Sequence, residues 1–168
     1  MSLSDTLRHL EATGFRDLAG ARVSAAVPIS ERLVNALVAE SLPSNLPVRE
    51  VSIRPEANNQ ISLRITPRTG LLPPMTITLE IEQQPDFPSS PVLALRMKTM
   101  GGLFGLASAV LPIANMLPPG VRLDGKRILV DLHAIAAQRG VDHLLQHLTR
   151  LTVTSETGRV VLHLEAGA

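Results

Sequence analysis

Hydrophobic and polar residues alternate along four segments between Val48 and Lys98. The apolar positions are Val51 and Ile53, then Ile61, Leu63 and Ile65, then Met75, Ile77, Leu79 and Ile81, and finally Leu93, Leu95 and Met97. A period of two is typical of a strand with one buried face, and the Asn-, Gly- and Pro-containing segments between the runs are typical of turns. The pattern predicts an antiparallel meander, with residues 75–83 and 92–98 as neighbouring strands whose apolar side chains face helices.

Residues 29–42 have helical spacing instead. Ser30 is a suitable N-cap, Glu31 suits the positive end of a helix, and Pro43 ends the segment. One broad apolar face is predicted, made of Ile29, Leu33, Val34, Leu37, Val38 and Leu42. This face is that of an ordinary core helix or of a helix lining a ligand cavity.

The segment 99–121 carries no charge between Lys98 and Arg122. A helix is predicted over 103–117, and its only polar residues, Ser108 and Asn115, fall on one stripe. Gly and Pro residues interrupt the run, which disfavours a continuous membrane-spanning helix. A helix that is apolar on nearly all sides must be buried in protein, in lipid, or against a lipid that the protein holds.

The remaining chain supplies shorter elements. Residues 1–19 are predicted to form a short amphipathic helix or a mobile arm, and 22–27 a strand. Residues 121–132 read as a hairpin around Asp124-Gly125, and 133–148 as a helix broken near Gly140, with Leu144, Leu145 and Leu148 on its inner side. Residues 151–153 and 160–164 are predicted to form a closing hairpin. The whole chain, 1–168, reads as one α+β domain in which a curved antiparallel sheet wraps around apolar helices.

Composition excludes several function classes. The chain has 2% aromatic residues, no Trp or Tyr, and a net charge of +1, which argues against nucleic-acid binding through base stacking or phosphate contacts. The absence of cysteine excludes disulfides, Fe–S clusters and thiol catalysis. The charged N-terminal residues do not resemble a signal peptide, so we expect a cytoplasmic protein, or one peripheral to a membrane.

Candidate catalytic and metal-binding residues are few. His143 and His147 have the four-residue spacing of metal ligands, but Leu144 stands where a zincin has glutamate, and His163 is distant in sequence. Asp131 and Asp142 lack the Gly-x-Ser-x-Gly turn of a serine hydrolase. Glu80 and Glu82 share the polar face of a strand, which favours solvated charges. We therefore expect no catalytic residue, no metal, no cofactor and no enzymatic activity.

The order of elements resembles the tubular lipid-binding (TULIP) superfamily, in particular small bacterial proteins related to bactericidal permeability-increasing protein. The resemblance covers roughly residues 20–165. It rests on the strand leading into Pro28-Ile29-Ser30, the helix with Asn35 and Leu37, the run of strands, the apolar central helix, Gly120-Val121-Arg122-Leu123-Asp124-Gly125, and Ile128-Leu129-Val130-Asp131-Leu132 followed by a helix and a hairpin. It implies a half-barrel sheet around a long helix, with the acyl chains of a lipid held between them.

Two functional hypotheses follow from the apolar pattern and the resemblance. The first is non-enzymatic binding or transfer of a lipid or fatty-acid-like ligand in an aliphatic cavity. Its predicted lining is Leu33, Leu37, Leu63, Ile65, Ile77, Leu79, Leu103, Leu106, Val110 and Ile113. The second is a docking module with a filled core, which would use residues 99–121 to bind another protein, a membrane surface or a second copy of the chain.

Overall fold

The computed structural model describes residues 20, 22–42, 48–68, 73–101 and 117–167. Nine strands and three helices lie in these ranges. In chain order they are β1 (Arg22–Ser30), α1 (Glu31–Ser41), β2 (Val48–Glu56), β3 (Gln60–Pro67), β4 (Met75–Gln83), β5 (Val92–Gly101), β6 (Val121–Asp124), β7 (Arg127–Asp131), α2 (Leu132–Gln138), α3 (Asp142–Leu145), β8 (Leu148–Glu156) and β9 (Arg159–Gly167). The arm predicted for 1–19 and nearly all of the helix predicted for 103–117 lie outside the described residues.

The larger sheet has six strands in the order β2-β3-β4-β5-β7-β6, all antiparallel to their neighbours, and is curled into a half-barrel. The predicted meander is therefore confirmed. Its β2–β3 turn contains Asn58 and Asn59 with φ angles of 60° and 59°, a conformation that asparagine tolerates better than most residues. The predicted pairing of β4 with β5 is confirmed, and so is the hairpin of β6 and β7 around Asp124-Gly125.

The structure also contains a second sheet, which the sequence pattern did not predict. It has three strands in the order β1-β9-β8. The predicted closing hairpin is present as β8 and β9, and β1 pairs antiparallel with β9 along its whole length. Strand β1 continues past Pro28 to Ser30, so Ile29 belongs to the strand and not to the helix. The two ends of the described chain thus meet in one small sheet.

The core lies between the two sheets. Ile77, Leu79, Leu93 and Leu95 are buried as predicted, because they alternate toward the inner, core-facing side of the larger sheet. In the described residues the core cluster on this face includes Leu151 and Val153 of β8, and Leu132 of α2 and Leu145 of α3 pack against the same cluster. The expectation that helices cover this face is therefore confirmed only in part, because a strand of the second sheet also contributes.

The prediction that helix α1 packs in the core is wrong. Ser30 caps it as expected, accepting a hydrogen bond from the Leu33 N–H at 3.3 Å. However, none of its residues is buried, and Leu33 and Leu37 are exposed. At its C-terminal end, Glu40 pairs with Arg139 at 3.2 Å. The helix therefore lies on the outside of the described fold.

The predicted break near Gly140 is confirmed. Gly140 has a φ of +68°, which few residues other than glycine adopt, and it separates α2 from α3. Asp131 caps α2 by accepting a hydrogen bond from the Ala134 N–H. Leu145 packs against the core as predicted. Leu148 also packs against the core, but it belongs to β8 and not to the predicted helix. The prediction for Leu144 is wrong, because its side chain is exposed.

Candidate apolar binding surface

The strand register of the smaller sheet places aliphatic side chains from three strands on one face. Residues directly opposite one another in an antiparallel pair share a face. Leu151 and Val153 of β8 lie opposite Leu164 and Leu162 of β9. These β9 residues lie in turn opposite Ala25 and Val27 of β1. We call the β1 and β9 part of this surface the open apolar face; it comprises Val23, Ala25, Val27, Ile29, Val160, Leu162 and Leu164.

Burial decreases steadily across this surface from β8 to β1. In β8, Leu151 and Val153 are only 6% and 5% exposed. The β9 side chains Val160, Leu162 and Leu164 are half-buried against the edge of the core. In β1, Val23 and Val27 are 60% and 40% exposed. The core thus covers one side of the sheet face and leaves the other side open.

The structure separates the residues predicted to line a cavity into three groups. Ile65, Ile77 and Leu79 are buried in the core cluster, with Leu63 half-buried beside it. Leu33 and Leu37 lie on α1 with their side chains exposed. Leu103, Leu106, Val110 and Ile113 lie outside the described residues.

Side-chain amides cap two of the sheet edges. Asn35 of α1 donates from Nδ2 to the Ile53 carbonyl at 2.8 Å and accepts from the Ile53 N–H at 2.6 Å. Gln84 makes the same pair of bonds to Val153 of β8, both at 2.8 Å. Each amide therefore occupies the position of a neighbouring strand, and satisfies backbone groups that would otherwise be unpaired.

Ser155 adds further hydrogen bonds at the edge of β8, next to the bonds from Gln84. Its N–H donates to Asn59 Oδ1 at 3.0 Å, and its hydroxyl lies 2.7 and 2.8 Å from the carbonyl oxygens of Glu56 and Gln60. These bonds fix the end of β8 to the β2–β3 turn. The buried hydroxyl is therefore held by backbone groups, and its contacts are those of a structural residue.

Ion pairs cover part of the polar face of the larger sheet. Glu80 contacts Arg96 at 2.9 Å and Lys98 at 3.0 Å, and Glu82 contacts Arg127 at 2.7 Å. The hydrogen bond from Arg96, followed by that from Lys98, lowers the pKa of Glu80 from its usual value. The two glutamates thus lie in a partly exposed, paired network on the face opposite the core.

The histidines have surroundings that differ from those of a helical metal motif. Helix α3 ends at Leu145, so His143 lies in the helix and His147 in the turn that follows. His163 lies on β9, with a ring nitrogen 3.3 Å from the Thr154 hydroxyl. Among the residues described, no group of three or more His, Asp or Glu side chains is placed to hold a metal ion.

Sequence reasoning missed the open apolar face. The signal was present, because Val23, Ala25, Val27 and Ile29 occupy alternate positions, and so do Val160, Leu162 and Leu164. Small alanine side chains and Pro28 weaken the pattern in β1. The sequence pattern also does not indicate that these two segments, which lie near opposite ends of the chain, pair with each other.

Comparison with known proteins gives no assignment: no protein family, characterised protein or solved structure matches the chain. In the described part of the chain, no helix has the length and hydrophobicity needed to cross a membrane.

Proposed function

We propose that this protein binds a lipid or another long apolar ligand without catalysing a reaction, and that the open apolar face contributes to the binding surface. The observation that carries the proposal is the gradient of burial from β8 to β1. Aliphatic side chains that continue the core surface are left accessible on β9 and β1. Leu33 and Leu37, on the helix directly after β1, add exposed aliphatic surface.

The chemistry of this surface favours an aliphatic ligand. Valine, leucine and isoleucine side chains provide dispersion contacts and exclude water, but offer neither aromatic stacking nor hydrogen bonds to a planar or sugar-like ligand. Each methylene group buried contributes about 0.8 kcal/mol, so ten methylenes would give a gross gain of about 8 kcal/mol, part of which is offset by ordering. An acyl chain is therefore the ligand class that we propose.

The predicted cavity residues divide by accessibility. Ile65, Ile77 and Leu79 are buried in the same core cluster as Leu151 and Val153 of β8, so a ligand would reach them only if the core opened. Leu33 and Leu37 are accessible without any such movement. We therefore propose that the ligand first contacts the open apolar face and α1. The more specific proposal is that the lipid is then enclosed between the sheet and the helices, as in the TULIP superfamily.

A fluorescent acyl probe tests the proposal. Purified protein is first stripped of bound lipid, and then titrated with a long-chain fatty acid carrying an environment-sensitive fluorophore. We expect saturable binding, and a melting temperature that rises with ligand concentration because the ligand binds the folded state. Absence of both effects would contradict the proposal.

Paired variants locate the site. Val23→Thr combined with Val27→Thr replaces a methyl by a hydroxyl at two exposed positions while keeping the β-branched shape that strands prefer. We expect weaker probe binding with little change in melting temperature. Ala26→Ser, whose side chain lies on the other face of the same strand, is the matched control and should bind the probe normally.

The second candidate function is docking to a protein or a membrane surface. The observation that favours it is the exposure of β1, whose residues are accessible along almost the whole strand. Incubation with anionic and neutral lipid vesicles, followed by sedimentation, distinguishes the two. Association with intact vesicles without uptake of monomeric fatty acid would favour surface docking.

A further inference from the structure

Strand β1 is the long sheet edge that the described residues leave uncapped. Four strands end the two sheets: β2 and β6 in the larger, β1 and β8 in the smaller. Amide side chains cap β2 and β8, through Asn35 and Gln84. Strand β6 is only four residues long, whereas β1 has nine. Long uncapped edges are where further strands add to a sheet.

The register shows which backbone groups of β1 point outward. The Glu31 N–H donates to the Gly158 carbonyl at 2.9 Å and continues the β1–β9 register. Since backbone groups alternate in direction along a strand, the odd-numbered residues of β1 bond to β9. The even-numbered residues, Arg22, Ser24, Ala26, Pro28 and Ser30, therefore face the open edge. The position of Pro28 agrees, because proline has no N–H to give to β9.

We propose that a second copy of this chain pairs antiparallel with β1, with Ala26 of each copy on the two-fold axis. This register aligns the whole of each nine-residue strand with its partner. Five outward residues on each strand could form ten hydrogen bonds, and the two prolines remove one donor each, which leaves eight. A register centred on Pro28 would instead place the residues without donors at the middle of the ladder.

The side chains fit this pairing. On the apolar side, Val23 would lie opposite Ile29 of the partner subunit, and Ala25 opposite the partner's Val27. On the other side, Ala26 would meet its own copy, where a small side chain leaves room at the axis. Aliphatic cross-strand pairs are favourable, and a two-fold axis perpendicular to the sheet keeps the apolar faces on one side. The two small sheets would then form one sheet with six strands.

This dimer does not depend on the proposed ligand. The pairing uses the backbone edge of β1, whereas the ligand would use side chains on the sheet face. A monomer could bind an acyl chain, and a dimer could form without one. A single strand pair is a small interface, so we expect a dimer that dissociates on dilution.

Sedimentation equilibrium over a wide concentration range tests the proposal. We expect the mass to rise from the 18.0 kDa of one chain toward twice that value. Ala26→Pro removes the outward N–H at the centre of the ladder while leaving the bonds to β9 in place, and should weaken dimerisation by tenfold or more. Ala26→Ser keeps the N–H and should dimerise within about twofold of the unmodified protein.

A cysteine experiment decides the register, and also covers the case in which Ala26→Pro fails to fold. The chain has no cysteine, so one introduced residue gives a single reporter. In the proposed register, Ala26→Cys places two cysteines opposite each other in a hydrogen-bonded pair, with Cα atoms about 5.5 Å apart, which lies within the Cα range of disulfides. Ser24→Cys lies opposite Pro28 and is separated from its own copy by four residues, about 14 Å along the strand at about 3.4 Å per residue.

Rapid oxidative cross-linking of Ala26→Cys, with little cross-linking of Ser24→Cys, is the expected result. Equal cross-linking of both variants would overturn the register. A chain that stays monomeric at all concentrations, with neither variant cross-linked, would overturn the dimer itself. Fatty-acid binding by such a monomer would leave the proposed function intact, so the two failures can be told apart.

Discussion

Gln84→Met would test whether a side-chain amide holds the edge of β8. Methionine has nearly the same length and flexibility as glutamine but can neither donate to the Val153 carbonyl nor accept from its N–H. Gln84 is only partly buried, but Val153 belongs to the core cluster. The loss of its two backbone bonds is therefore not fully compensated by water.

The expected magnitude follows from these two bonds. A typical intramolecular hydrogen bond contributes about 0.5–1.5 kcal/mol net, so the variant should lose about 1–3 kcal/mol of unfolding free energy. For a chain of this length, a loss of about 2 kcal/mol corresponds to a fall in melting temperature of about 4–8 °C. Urea denaturation at neutral pH and a thermal melt measure the two quantities independently.

Gln83→Met is the matched control, because Gln83 is adjacent and exposed. It should change stability by less than about 0.5 kcal/mol. Equal stability of Gln84→Met and Gln83→Met would refute the reasoning.

Three further outcomes are expected. Ile77→Ala should cost about 2–5 kcal/mol in denaturant unfolding, because Ile77 is only 1% exposed and its removal leaves a cavity; a loss below 1 kcal/mol would contradict that packing. The lowered pKa of Glu80 means that its ion pairs stabilise the fold at neutral pH and that this stabilisation is lost as pH falls, so Glu80→Gln should reduce the loss of stability on acidification. The effect should be small, because the ion pairs are partly exposed. An unchanged fall of the melting temperature at acid pH would contradict the pairing. EDTA should leave the melting temperature unchanged, and stoichiometric zinc in elemental analysis would overturn the interpretation of His143 and His147 as non-ligands.

The strands of the meander could be predicted because each has one face that is more buried than the other. In β4, Ile77 and Leu79 alternate with Thr78 and Glu80, and burial follows that alternation. Local sequence signals also indicated the Ser30 cap and the break at Gly140. These features depend on a few neighbouring residues, which is why sequence reasoning found them.

What covers an apolar face could not be predicted in the same way. A periodic pattern shows that Leu33 and Leu37 share a helix face, but not whether another element reaches it; both side chains are exposed. The inner face of the larger sheet was expected to meet helices, whereas in the described residues its core cluster also includes Leu151 and Val153 of β8. The amide cap at Val153 is equally non-local, since Gln84 lies 69 residues away. Such contacts depend on tertiary packing, which the local periods do not encode.

Photo-crosslinking with a diazirine-bearing long-chain fatty acid tests the central claim most directly, because it reports both binding and location. Lipid-stripped protein would be irradiated with the probe, digested, and mapped by mass spectrometry, with and without excess unlabelled fatty acid. Binding at the open apolar face predicts competable labelling in peptides from β1 and β9, residues 22–30 and 159–167. The double variant Val23→Thr, Val27→Thr should lose most of that labelling, and Ala26→Ser should keep it. Labelling that is absent, not competable, or confined to the polar face of the larger sheet would contradict the account.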